Sequence, residues 1–222
     1  MFEAILNNRV PPNWQTMAYP SLKKLGSWIL DLQERVNFMR EWATKGHPRS
    51  FWLSGFFFPH GFITGVLQTY ARKYQQPIDQ LQLKFEIKEW TSPEDVKSEP
   101  REGVYIYGLF LENARWSKSK SILIEARPGE MSFLMPIIHF KPKVLASAKQ
   151  ASGSPNSKII NSKHQNDSEE DMYTYQCPVY KTSLRAGVLS TTGQSTNFIL
   201  AVELPCGSSE PGSYSAADYN TG

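Results

Sequence analysis

Cysteine is nearly missing from this sequence: Cys177 and Cys206 are the only two among 222 residues. Two thiols cannot staple a disulfide framework, and alone they cannot supply the four ligands of a structural metal site. They read as reduced, partly buried thiols of a cytosolic protein. Histidine is scarce too, and His47, His60, His139 and His164 show neither i, i+4 pairing nor a carboxylate at zinc-motif spacing, so no metal ligands are predicted. There is also no excess of one charge. With 24 Lys+Arg against 21 Asp+Glu the net charge is +3, which argues against the concentrated basic surface of a nucleic-acid binder, although the sequence pI is about 8.7. No stretch approaches the roughly 20 apolar residues that span a bilayer, and the opening MFEAILNNRVPP has no basic region followed by an apolar run. Neither membrane insertion nor secretion is expected, and the sequon at Asn166-Asp167-Ser168 then says nothing about glycosylation.

Catalytic signatures are lacking as well. A phosphate-binding loop needs a Gly-rich turn opening a helix and a Lys to meet the phosphates. The nearest approach, Gly187 to Gln194, has one residue too many between its glycines, Gln194 where Lys belongs, and apolar strand-like runs on both sides, so it reads as a turn or bulge. Ser54-Gly55 lacks the first glycine of a nucleophile elbow. The acidic run Glu169-Glu170-Asp171 reads as a solvated cluster. No acid, base and nucleophile assemble, and the sequence predicts no catalytic residue and no cofactor.

What is present begins with helical periodicity. Leu22, Leu25, Ile29, Leu32, Val36 and Met39 recur at steps of three and four, with Trp28 and Trp42 widening the stripe. This predicts a helix with one buried face, capped by Ser21 and stopped at Gly46 and Pro48. A second helix is predicted from Pro59 or His60 to about Tyr74, carried by Phe62, Val66 and Tyr70 and ended by Pro77. From Leu83 to Lys88 apolar and charged residues alternate, the signature of a strand with one wet face. Further apolar runs at Gly103 to Leu111, Ile122 to Ala126, Leu134 to Phe140, Tyr175 to Tyr180 and Thr196 to Leu204 are bounded by Gly, Pro, Ser or Asn. The fold class is therefore α+β: N-terminal helices over residues 1–82, then an incomplete antiparallel β-barrel of about six strands over 83–205. The Ser-, Asn- and Lys-rich stretch 146–172 and the tail 206–222 are expected to be a disordered insertion and a disordered end.

Aromatic residues make up 13% of the sequence, and five of them, Phe51, Trp52, Phe56, Phe57 and Phe58, fall within the linker between the two helices. One reading packs this linker under both helices as core; the other leaves part of it exposed for a neighbouring module, since aromatics supply large contact area at low entropic cost.

The runs Ala18 to Trp28, Phe51 to Pro59, Tyr70 to Tyr74 with Pro77-Ile78-Asp79, Gly103 to Leu111 with Ala114-Arg115-Trp116, Cys177 to Thr182 and Gly187 to Phe198 together resemble the C-terminal domain of axonemal dynein heavy chains. The similarity covers about residues 3–205, and Pro59, Gly61 and Arg185-Ala186-Gly187 are most similar to inner-arm chains. The resemblance implies a non-catalytic module that follows the last AAA+ unit of a motor ring, lies across one face of the ring, and braces it in ciliary or flagellar movement. It implies the AAA+ ring as partner, other dynein subunits and the axoneme indirectly, no nucleic acid and no membrane, and a place in the cytoskeleton of the axoneme. The candidate interface residues are Phe51, Trp52, Phe56, Phe57, Phe58, Arg115, Trp116 and Phe198. The family's usual final strand, a W-x-x-x-G-x-A-L-L type pattern, is replaced by the polar run from Gly207, so one barrel edge is expected to stay unpaired and to invite self-association. An alternative is a free-standing module that docks on dynein or another ciliary partner through the aromatic linker and that edge.

Overall fold

A computed structural model describes residues 1–19, 21, 23–145, 173–183 and 197–206. Pro20, Leu22 and the stretches 146–172, 184–196 and 207–222, and with them the expected insertion, the Gly187 to Gln194 turn and the tail, lie outside the described residues. Two short helices, α1 (Phe2–Leu6) and α2 (Pro12–Gln15), lead into the long helix α3 (Leu25–Lys45) and, after the aromatic linker, α4 (Pro59–Tyr74). The end of α1 is tied to the start of α3 where Asn8 accepts the Leu25 amide on its carbonyl at 3.0 Å and the Gly26 amide on its side-chain oxygen at 3.1 Å.

Helix α3 starts three residues later than its sequence suggests. Ser21 does not cap it; its Oγ accepts the Lys23 amide instead, and Lys24 occupies the N-cap position. Gly46, at φ +88°, closes the other end as expected. The buried face is also rotated from the predicted stripe. Leu25, Trp28, Asp31 and Arg35 are buried, with Phe38, Met39 and Trp42 half-buried, while Ile29 and Val36 are 38% and 41% exposed. The physical reason is area: turning the helix by about one residue seats Trp28, Phe38 and Trp42, whose rings bury more surface than Ile29 and Val36 would. Helix α4 spans the predicted residues, with Pro59 at its first turn and Gln75 in the left-handed region at its end.

The described residues form ten strands in two sheets. The first contains β1 (Phe51–Trp52), β2 (Leu81–Ile87), β3 (Val104–Tyr107) and β8 (Ile138–Val144), in the order β1-β3-β8-β2. The second contains β4 (Phe110–Glu112), β5 (Ala114–Ser117), β6 (Ile122–Glu125), β7 (Ser132–Leu134), β9 (Tyr173–Tyr180) and β10 (Phe198–Cys206), in the order β5-β6-β10-β9-β4-β7. Its end strands β5 and β7 lie against each other, so this six-stranded sheet curls into a nearly closed barrel. The architecture is α+β with an incomplete barrel.

Within the described residues the backbone passes from one sheet to the other at two corners, Gly108-Leu109 and Met135 to Ile137, which meet where the Met135 amide donates to the Leu109 carbonyl at 2.9 Å. This divides two apolar runs that the sequence presents as single strands. Gly108 makes its corner at φ +79°, and a Cβ there would overlap the Trp52 indole. Pairing is mostly antiparallel, as in β2 with β8 from Leu81↔Val144 to Ile87↔Ile138 and β9 with β10 from Tyr180↔Phe198 to Tyr173↔Cys206. Two pairs are parallel: β1 with β3, and β10 with β6, the latter through Cys206↔Leu123 alone among the described residues.

One hydrophobic core runs under both sheets and the linker, from Phe51 and Leu53 through Ile106, Leu111 and Phe140 to Val179, Ile199 and Val202, with Phe38, Trp42, Phe56 and Phe62 packed on it from the helical side. Both cysteines are free; burial pushes the Cys177 thiol up to about 11, so it behaves as a small core hydrophobe. Among the described residues no helix is long and apolar enough to cross a membrane, and no group of His, Cys, Asp and Glu is placed to hold a metal ion.

Candidate docking surface

The linker after α3 resolves into two parts because its backbone turns outward midway. Phe51 pairs with Ile106 in β1 and is 2% exposed, Trp52 follows it, and a tight turn over Leu53–Gly55 brings Phe56 back under the helices. Phe56 stacks on Phe62 at 4.5 Å and 20° and meets Trp42 edge-on at 5.9 Å. The Trp52 indole lies over the backbone of both Gly55 and Gly108, positions where any Cβ would overlap it. The next two rings point away from this cluster: Phe57 is 54% exposed and Phe58 71%.

The candidate interface residues thus differ in burial and place. Phe51 and Trp116 lie in the core and are not on the surface of this protein. Trp52, Phe56 and Phe198 are half-buried, the last edge-on to Tyr180 at 6.4 Å between β10 and β9. Arg115, on β5, lies against the Phe133 ring at 5.5 Å, and its Nε is buried without a hydrogen-bond acceptor, 3.9 Å from the Glu130 carboxylate. Phe57 and Phe58 remain as exposed aromatic surface, and the helical side adds Phe2, Leu6, Met17 and Leu30, each more than half exposed.

Beside Phe57 lies a polar network that the apolar pattern hid. Asp31, 4% exposed in the middle of α3, accepts from Lys23 Nζ at 2.6 Å, from Arg35 Nε at 2.7 Å and from the Tyr19 hydroxyl. Burial would raise its pKa, but the bonds from Arg35, Lys23 and Tyr19 outweigh burial and hold the carboxyl below its ordinary value. The Arg35 guanidinium sits 4.6 Å from the Tyr19 ring centroid, 5.4 Å from that of Trp52 and 5.8 Å from that of Phe57, and its Nη1 makes a long bond of 3.4 Å to the Phe56 carbonyl. Tyr19 in turn stacks on Trp28 at 5.6 Å and 20°. The network therefore pins the segment before α3, the helix itself and the aromatic linker to one another. Its sequence signal was the i, i+4 spacing of Asp31 and Arg35 on the face that also carries Trp28, Phe38 and Trp42.

This network forms one wall of a cleft of about 600 Å³, which continues over Trp52, Ser54, Gly108 and Phe110 to Lys181, Thr182 and Ser183 at the end of β9, with Lys24 and Glu34 at the rim. The chemistry on offer is that of a binding surface: exposed aromatics, a rigid cation–aromatic cluster and a lysine at the end of β9.

The family model described as the C-terminal domain of the dynein heavy chain matches residues 1–217. Curated relatives agree. The chain is 45% identical over 205 residues to dynein axonemal heavy chain 1 of Rattus norvegicus, covering 92% of this chain and 4% of that one. It is 38% identical over 225 residues to dynein axonemal heavy chain 6 of Homo sapiens, covering 92% and 5%. It is 45% identical over 202 residues to dynein axonemal heavy chain 12 of Homo sapiens, covering 90% and 6%. The chain thus spans only about a twentieth of the length of these relatives. A match over nearly all of the sequence, with an α+β architecture and an incomplete barrel, shows that this protein belongs to the family of C-terminal domains of dynein heavy chains.

Proposed function

We propose that this protein acts as a non-catalytic module that docks on the AAA+ motor ring of an axonemal dynein heavy chain and braces it during microtubule-based movement in a cilium or flagellum. The observation that carries this reading is the exposed aromatic pair Phe57 and Phe58, on a linker whose Phe51 ring is in the core and whose Phe56 ring packs against it. Such rings are costly to leave in water, and they stand on a rigid base, so their position is preset for a partner. The ring of the same heavy chain is the partner, with other dynein subunits and the axoneme engaged through it. The ATPase belongs to the ring, and the axonemal cytoskeleton is where the module works.

A photo-crosslinking residue in place of Phe58 within an intact axonemal dynein tests this. Crosslinks to the AAA+ modules of the same heavy chain are expected; crosslinks confined to other subunits would refute the docking. The second reading, a free-standing module, draws on the single bridge that joins β10 to β6 among the described residues, because a strand edge so lightly paired is open to strand addition by a partner. Under that reading the crosslinks go to a protein other than a dynein ring.

A further inference from the structure

In the cleft beside α3, the buried carboxylate is answered from within the molecule, while a second cation in the lining has no carboxylate partner among the described residues. The two oxygens of Asp31 are taken by Lys23, Arg35 and Tyr19. Lys181, at the end of β9, lines the same cleft, with no carboxylate partner among the described residues. Burial and the nearby Arg35 charge both press its pKa below the ordinary lysine value, so its surroundings disfavour the ammonium it carries. Arg35 spends its Nε on Asp31, and among the described residues its Nη1 has only the long bond to the Phe56 carbonyl. Lys181 and Arg35 thus share one cavity of about 600 Å³ with Lys23 and Lys24, four cations against the two carboxylates of Asp31 and Glu34, and Trp52 and Phe110 line it too.

We propose that this cleft binds the carboxylate of an acidic side chain on a partner protein, held between Lys181 and Arg35 with its neighbouring apolar residues over Trp52 and Phe110. A carboxylate fits better than a phosphate. Asp31 and Glu34 share the cleft and oppose a doubly charged ligand more strongly than a singly charged one, and no glycine-rich turn among the lining residues offers a cradle of amides. The proposal defines the partner by its chemistry and stands whether or not that partner is a motor ring.

The probe is the blocked tripeptide acetyl-Leu-Glu-Leu-amide, titrated into the full chain at constant ionic strength and followed by the indole N–H resonance of Trp52. The controls are acetyl-Leu-Gln-Leu-amide and inorganic phosphate. The expected result is a saturable shift with the glutamate peptide that is weakened at least about five-fold by the glutamine swap and by Lys181→Met, in line with the loss of a charge-assisted bond, and is unchanged by Lys120→Met on the exposed β5–β6 turn. Because Lys181 has no carboxylate partner among the described residues, Lys181→Met should melt no lower than the parent protein. Absence of saturation, equal binding of the glutamine peptide, or tighter binding of phosphate overturns the proposal. A Lys181→Met variant that melts well below the parent does so too, because Lys181 would then have a partner within the molecule.

Discussion

Asp31 lies on the face that α3 buries, and its burial is tolerable only because three donors converge on it. Removing its charge should therefore leave Lys23 and Arg35 with no counter-charge and a single amide oxygen between them: Asp31→Asn is expected to cost about 3–5 kcal/mol at neutral pH. The pH dependence follows from the direction of the shift. The folded-state pKa lies below the ordinary 3.8, so the stability contributed by Asp31 is fully present above that value and is lost as the pH falls through the depressed one. Glu86 adds to the same window: burial opposes its ionisation, but bonds from Lys88 and contact with His139 hold its pKa down. Urea unfolding of parent and Asp31→Asn at pH 7 and pH 3 should show a gap that narrows at the lower pH; a constant gap would mean that the asparagine loses packing, not charge. Little of this was legible in the sequence, since neither Asp31 nor Tyr19 belongs to an apolar repeat and their contact joins residues twelve apart through a connecting segment.

The elements were more legible than their faces. Helix α4 and strand β2 lie where the 3.6 and 2 periods put them, because both pack one face on the core and keep the other wet. Strands β1, β5 and β7 have two, four and three residues, too few for alternation to show. The corner at Gly108 was hidden inside an apolar run, because both flanking strands are half-buried or buried along their length and a two-residue corner with one positive φ separates them. That corner yields a sharp prediction. Gly108→Ala must strain the backbone and displace the Trp52 indole, so a loss of about 2–4 kcal/mol is expected in thermal or chemical unfolding, together with a shifted Trp52 signal. Trp28→Ala should cost about 3–5 kcal/mol, because that ring is 7% exposed and also supports Tyr19. An unchanged melting midpoint for Trp28→Ala would remove Trp28 from the core.

For the whole molecule, the expectations rest on surfaces and on the barrel seam. No lysine-bearing phosphate loop is found in the sequence, and equilibrium binding of a fluorescent ATP analogue to the isolated protein should be absent at micromolar concentrations. Retained micromolar binding after further purification would overturn the non-catalytic reading. Strand β10 pairs with β9 along its length but meets β6 through one residue pair among the described residues, so sedimentation over a range of concentrations is expected to show self-association. Monomers at high concentration would mean that other parts of the molecule cover this edge.

The same seam has a mechanical meaning. A load that shears β9 along β10 meets eight residue pairs together, whereas a load that separates β6 from β10 meets Cys206↔Leu123 first and, among the described residues, alone. A module clamped to moving parts on both sides would therefore yield along this line before its core gives way, stretching like a clasp while the helices and the first sheet keep their shape.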